Sequence, residues 1–213
     1  MPWLHSNLKL GDIALIRPGL PFRSRVESEA DGDVAVIQAR DLRDDGIVSI
    51  EGAARLRFLP ASPKDGFLKP RDVVLQPRGT RFPAAIFEPT AFPAVAAAPI
   101  YMLRADTSRV LPEFLVAVLM SPATQAVLRQ SAVGTYVPQV PRRAIENLQI
   151  ELPDLPSQVK LADLARLARR EREMMGRLRD ARARLFDLAV REVAKKARKR
   201  ANASGPEPVP SVR

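Results

Sequence analysis

Almost all of the 20 prolines in this chain fall before residue 160, and residues 157–200 contain none. A proline ring removes a backbone donor and bars the preceding residue from helical geometry. The first part of the chain can therefore be helical only in short pieces, whereas the second is free to form one uninterrupted helix. At 46% hydrophobic residues the chain has the apolar material for a packed core, which excludes wholesale disorder. The expected class is α+β: one domain over residues 1–155, a long C-terminal helix of coiled-coil character over 157–200, and a tail, 201–213, with the composition of disorder.

Short β-like runs bounded by turn residues are spread through the first region. They are Ile13–Ile16 before Arg17-Pro18-Gly19, Val34–Gln38, Ile47–Ile50 after Asp44-Asp45-Gly46, Val73–Gln76, Ala84–Phe87 and Ala98–Arg104. Leu111–Ser131 reads instead as helix. It opens with Pro112 in the first turn, where proline is tolerated, and breaks at Ser121-Pro122 before a second helix, Ala123–Gln130.

In the second region Ser157 is the expected N-cap. Leu161, Leu164, Leu167, Ala168, Met174, Met175, Leu178, Ala181, Leu185, Leu188 and Ala189 recur at spacings of three and four, with Glu171 interrupting. That period is an amphipathic helix. Its 44 residues would extend roughly 65 Å. So long a stripe calls for a partner helix, and Leu164, Leu167, Met174, Leu178, Leu185 and Leu188 are the expected dimer contacts. The alternative is a helix that lays its stripe back on its own domain.

Charge separates the same two regions. Residues 1–155 carry 18 basic and 17 acidic side chains, whereas 156–200 carry 15 and 6. An excess of that size points to a polyanionic partner, of which nucleic acid is the commonest. Catalytic and cofactor signatures are missing. There is no cysteine and the only histidine is His5, so thiolate metal sites and Ser-His triads are excluded. No Gly-rich phosphate loop follows a strand, and the Asp44-Asp45 pair has no nucleophilic companion. No catalytic residue, metal or cofactor is expected. No signal peptide and no membrane-length apolar run is present, so the expectation is a cytoplasmic protein without membrane contact.

The order of several short segments resembles a known family. Leu10-Gly11-Asp12-Ile13-Ala14 followed by Gly19, Val34–Arg40 with Asp41-Leu42 and Gly46-Ile47, and Leu68–Leu75 leading to Arg78-Gly79 are similar to the specificity subunits of type I restriction–modification systems. Tyr101–Arg104 and Pro112-Glu113-Phe114-Leu115, with Leu119 and Ser121, continue the pattern. The most specific match is Gly134-Thr135-Tyr136-Val137-Pro138, then Pro141, Leu148, Ile150, Leu152-Pro153-Asp154-Leu155-Pro156 and Gln158, with a long helix following. A full subunit carries two recognition domains and two such helices, and this chain has one of each. The resemblance implies a target-recognition domain that reads double-stranded DNA. It also implies a helix that spaces two domains and docks a DNA methyltransferase subunit, with or without a restriction subunit. A homodimer with antiparallel helices would then read a spaced palindrome.

Candidate DNA contacts follow from residue chemistry. Arg78, Gly79, Thr80 and Arg81 join two expected strands, and there Arg can pair with a guanine edge while Gly admits close backbone approach. Arg17, Arg23 and Arg25 flank another loop, and Thr135 and Tyr136 offer a hydroxyl and a ring. Trp3 reads as a core or docking aromatic, and Lys195, Lys196, Arg198, Lys199 and Arg200 as a basic end for phosphates or for solvent. Two further readings stay open: a coiled-coil interaction or scaffold protein that never meets DNA, and a free-standing DNA-binding decoy or regulator.

Overall fold

The computed structural model describes residues 6–23, 25–43, 46–57, 66–88 and 90–203; Trp3, His5, the Asp44-Asp45 pair and the tail from 204 lie outside them. The chain runs β1 (Ser6–Lys9), β2 (Ala14–Pro18), β3 (Val34–Ile37), β4 (Ala54–Leu56), β5 (Val73–Leu75), β6 (Ala84–Ile86), β7 (Ala94–Ala96), β8 (Tyr101–Ala105), α1 (Pro112–Leu119), α2 (Pro122–Ser131), α3 (Arg142–Glu146), β9 (Gln149–Leu152) and α4 (Leu155–Ala203). It divides into two compact units, Met1–Arg170 and Glu171–Arg213.

In the first unit the three side chains of β5 are all fully buried, so both faces of that strand are covered. β5 lies inside an antiparallel sheet of order β2-β8-β5-β6. Successive residues point to opposite faces. Val73 and Leu75, with Ile16, Leu103 and Ala84, pack on Phe114, Leu115 and Leu119 of α1, Leu128 of α2 and Ile145 of α3. Val74, Ala85 and Met102 face the other way, onto Ala35, Ile37, Ala94 and Ala96 of a second sheet, β4-β3-β7. The outer face of that sheet, Val34, Val36 and Val95, is covered by Leu20, Phe22 and Val26. Helices, sheet, sheet and a covering loop thus make the layers, and β1 pairs with β9 alongside.

Gly19 is required where β2 hands over to that covering loop. A Cβ there would lie 2.5 Å from the Ala96 carbonyl oxygen, because Gly19 N–H donates to Ile100 and Leu20 N–H to Ala96. The expected strand at Ile47–Ile50 does not form. Arg43 N–H closes a turn onto Ile47, then Val48 donates to Ile86 and Ser49 to Asp41, so the segment's donors go to different neighbours rather than to one ladder. β8 starts at Tyr101, not Ala98, since Pro99 has no donor to extend the ladder. The predicted helical break is present: Ser121 Oγ caps α2 by accepting from Thr124 N–H.

α4 starts two residues before the expected cap. Asp154, not Ser157, is the capping acceptor: its Oδ1 takes the Ser157 N–H at 3.0 Å. The Ser157 hydroxyl and amide together hold the Asp154 carboxyl below the usual carboxylate range. A carboxylate at a helix start also meets the positive end of the helix dipole. The helix continues to Ala203, three residues into the segment read as tail.

Docking of this helix depends on Gln158, which is wholly buried. Its Oε1 accepts from Leu111 N–H, and its Nε2 donates to the carbonyls of Arg109 and Pro153, each at 2.9 Å. Ala162, one turn on, is also buried, whereas Leu161, Leu164 and Leu167 are 47%, 64% and 54% exposed. At 100° per residue Leu164 and Leu167 lie on the far side of the helix from Gln158 and Ala162, with Leu161 at the flank. Within the first unit, therefore, Leu161, Leu164 and Leu167 are not what rests on the domain.

In the second unit the helix is braced by intrahelical pairs four apart, Glu173–Arg177 and Asp187–Arg191, each worth a few tenths of a kcal/mol. Met174, Leu178, Leu185 and Leu188 are all exposed. No described helix is long and apolar enough to cross a membrane.

Replacing Gln158 with Leu would keep the volume but strand one donor and two acceptors. The expected cost is about 3 kcal/mol, seen as a lower urea midpoint for the domain, while Arg170→Gln, at an exposed position of the same helix outside the stripe, should leave that midpoint unchanged.

Candidate nucleic-acid interface

Strand directions collect the chain's loops at two ends of the first unit. β2, β3, β5 and β7 finish, and β4, β6 and β8 begin, at one common end, because the partners pair antiparallel except β3 with β7. The four-residue link Ala97–Ile100 from β7 to β8 joins the two sheets there. Arg78–Arg81, the loop between β5 and β6, stands at this end, as does the segment that leaves β2 after Arg17.

The Arg78–Arg81 loop is held on two sides. On one, Gln125 of α2 brackets Phe82: its Oε1 accepts the Phe82 N–H at 3.2 Å, and its Nε2 donates to the Phe82 carbonyl at 2.9 Å and to Leu119 at 2.8 Å. On the other, Gly79 N–H donates to Pro138 at 2.9 Å and Val140 N–H to Pro77 at 2.8 Å. Beneath it the buried Gln76 Nε2 reaches the Arg78 carbonyl at 3.2 Å. Gly79, at φ +118°, adopts a backbone that favours glycine.

The second contact brings in the other sequence-selected loop. Val133 and Gln139 exchange both backbone hydrogen bonds at 2.9 Å, closing residues 134–138 into a hairpin tip. Gly134, at φ +109°, makes the turn. Gln139 also bridges Arg78, so the ladder Val133–Gln139–Arg78 fuses the two loops. Arg78, Thr80, Arg81, Thr135 and Tyr136 are all exposed on it, and Gly79 is half-buried.

The remaining candidates are spread more widely. Arg17 is half-buried within β2, with its backbone opposite Met102. Arg23 and Arg25 are exposed on the covering loop. Arg25 shares an open pocket of about 460 Å³ with Arg40, Glu27 and Ala54, at the start of β4 and so at the same end. Arg40, Gln125 and Gln139 were not singled out in the sequence. Only the apolar residues around Gly134 and Pro138 carried a hairpin signal there, and amides that act through backbone contacts leave none.

The charge distribution distinguishes the two ends of the four-stranded sheet. Segments 17–23, 76–83, 97–100 and 132–141 carry four arginines and no acidic residue. At the opposite end each strand is flanked by an acid: Asp12 before β2, Asp72 before β5, Glu88 after β6 and Asp106 after β8. Cations there are tied down, Arg104 to Asp72 through two bonds of 2.9 and 2.7 Å and Arg71 to Glu113 at 2.8 Å. Ser108 holds the Asp106 carboxyl below its usual range.

An α+β domain followed by a long C-terminal helix is a fold already known. No family model matches the chain, and no curated protein matches it. Among solved structures the fold is similar to that of an HsdS subunit from Thermoanaerobacter tengcongensis, at 15% identity and a TM-score of 0.57, over 84% of this chain and 40% of that one. A structure of a type I R-M system, described for its complex assembly and conformational transition, matches at 15% identity and a TM-score of 0.59, over 84% and 41%. The S subunit of a type I restriction–modification system from M. genitalium matches at 11% identity and 0.51, over 76% and 38%. The chain spans about two fifths of the length of each.

Gln125→Ala removes the acceptor of the Phe82 amide and the donor shared by the Phe82 and Leu119 carbonyls. Hydrogen exchange at Phe82 is expected to accelerate at least about tenfold, with the amides of Val73–Leu75 unaffected.

Proposed function

We propose that this chain is a sequence-reading subunit of a type I restriction–modification assembly, binding double-stranded DNA through the arginine end of its domain. The observation that carries this reading is the sheet's charge polarity. Segments 17–23, 76–83, 97–100 and 132–141, at one end of the four-stranded sheet, hold four arginines and no acidic residue of their own in a domain of nearly balanced charge. Arg78 and Arg81 stand on the loop fused to the 134–138 tip. Cations placed this way fit phosphates, and Arg78 or Arg81 can address a guanine edge through two donors. The shared fold with S subunits supports the same assignment.

On this proposal the domain over 1–155 recognises the target and the helix over 157–200 sets the distance to a second domain. Leu164, Leu167, Met174, Leu178, Leu185 and Leu188 meet a second copy, and the paired domains read a bipartite palindrome. The chain performs no chemistry itself, and a methyltransferase subunit, with or without a restriction subunit, supplies it. The exposed stripe also suits a scaffold protein that never meets DNA, and binding decides between the two.

With a pool of random-sequence duplexes, the intact chain is expected to enrich a motif with two-fold symmetry. Arg78→Ala or Arg81→Ala should weaken the enriched site about 10- to 100-fold and relax one base position. Lys195→Ala or Lys196→Ala should weaken all duplexes alike and flatten the dependence on salt. Specific affinity that survives both loop changes would transfer the reading role to Arg17, Arg23 and Arg25, and a pool without enrichment favours the scaffold.

Dimerisation is testable separately. Leu178→Glu or Leu185→Glu places an unpaired charge in the seam. Sedimentation equilibrium at micromolar concentration should change from dimer to monomer, and a wild type that sediments as a monomer would refute the arrangement.

A further inference from the structure

We infer that Tyr136 is a wedge that enters the base stack of duplex DNA and opens one base step beside the residues that read sequence. The inference rests on the DNA-binding reading above and adds a mechanical role to it.

Tyr136 is 98% exposed, and its neighbours at the hairpin tip, Val133 and Val137, are 61% and 47% exposed. Folding gains almost nothing from three apolar side chains left in water. Yet the tip that presents them is tightly built. The reciprocal Val133–Gln139 pair closes it, and the Gly79–Pro138 and Pro77–Val140 bonds tie it to the arginine loop. The backbone that carries the ring is thus ordered before binding, which removes that part of the ordering cost.

The surroundings select the occupant. Neither 76–83 nor 132–141 contains an acidic residue, and Arg78 and Arg81 stand on the adjoining loop. The patch is too small to sustain a protein interface by itself, and its cationic border suits a polyanion. In duplex DNA the two chemistries occur together, phosphates outside and apolar base faces within. Cationic side chains hold the backbone while an apolar side chain prises apart a step. Such a wedge costs least at flexible pyrimidine–purine steps, so Tyr136 adds a preference for deformable sequence at a position without base-edge contact.

The test uses the full-length chain, the random duplex pool and two probes of unstacked bases, permanganate for pyrimidines and diethyl pyrocarbonate for purines. The wild type is expected to enrich a motif and to make one fixed step in it hyperreactive. Tyr136→Ala should abolish the hyperreactivity and weaken binding about tenfold, and Tyr136→Phe, which keeps the ring, should recover most of both. Hyperreactivity that persists in Tyr136→Ala, or specific binding by the wild type with no hyperreactive step, overturns the wedge and leaves the DNA-reading proposal standing. Loss in Tyr136→Phe equal to that in Tyr136→Ala also overturns it, assigning the role to the hydroxyl. If the wild type enriches no motif, both proposals fall together.

Discussion

The carboxamide of Gln158 fixes how the helix leaves the domain. An apolar residue of the same size would fill the space, but only a group with both an acceptor and two donors satisfies Leu111 N–H and the Arg109 and Pro153 carbonyls at once. Those three groups belong to the segment before α1 and to the turn before α4, so one side chain locks two separate stretches of backbone around the helix start. A buried amide with all its partners is strongly directional, and it sets which face of the helix is spent on the domain. The far face, with Leu164 and Leu167, is left outward as a consequence, and Leu161 at its flank is exposed as well. The same sequence stripe that suggested a partner helix is thus available to one because a polar residue outside the stripe performs the docking.

Net charge is a poor guide to where such a protein would meet a polyanion. The +10 of the chain comes almost entirely from the helix, yet several of its arginines are engaged by carboxylates three or four residues away. Around the four-stranded sheet of the nearly neutral domain, Asp12, Asp72, Glu88 and Asp106 flank one end, and the segments at the other hold four arginines and no acid of their own. Within about a Debye length of roughly 8 Å at physiological salt, local arrangement outweighs the total. The near balance of the domain is therefore compatible with a basic working end.

What the sequence disclosed and what it concealed divide along a physical line. Val73–Leu75 was legible because a strand buried on both faces is apolar at every position. The α1–α2 break was legible from Ser121-Pro122, and the long helix from the absence of proline. β4 and β7 were not legible. Each is a three-residue strand, Ala-Arg-Leu and Ala-Val-Ala, whose identity depends on β3 between them rather than on its own composition. β1 and β9 pair across the whole domain with Asn7, Lys9, Gln149 and Glu151 facing out, and short polar strands look like loops. Of the candidate site, the arginine loop and the Gly134–Pro138 turn were each visible as turn chemistry. Their fusion through Gln139 and Pro138 was not, because backbone hydrogen bonds between distant segments carry no residue signature. For the same reason Ser157 was mistaken for the cap: both Asp154 and Ser157 satisfy the composition rule, and the charged acceptor one turn earlier prevails.

Distance along the chain gives the hairpin tip a further property. From Gln139 to the first residue of α4 there are few residues, and nearly every one is anchored. Val140 is buried and bonded to Pro77; Ile145 and Leu148 sit in the core, and Leu148 accepts from Leu10 N–H; β9 is paired with β1 up to Leu152. Flexible linkers are what ordinarily let a binding loop move without consequence. Here no such slack exists between the tip and the Gln158 anchor, both of which lie in the first unit. A displacement of Tyr136 that persisted would have to strain the Arg78 loop through Gly79, or the helix start through β9. On the DNA-binding proposal, the backbone that carries the arginines and the ring is ordered on folding, so that deformation on contact falls to the softer partner.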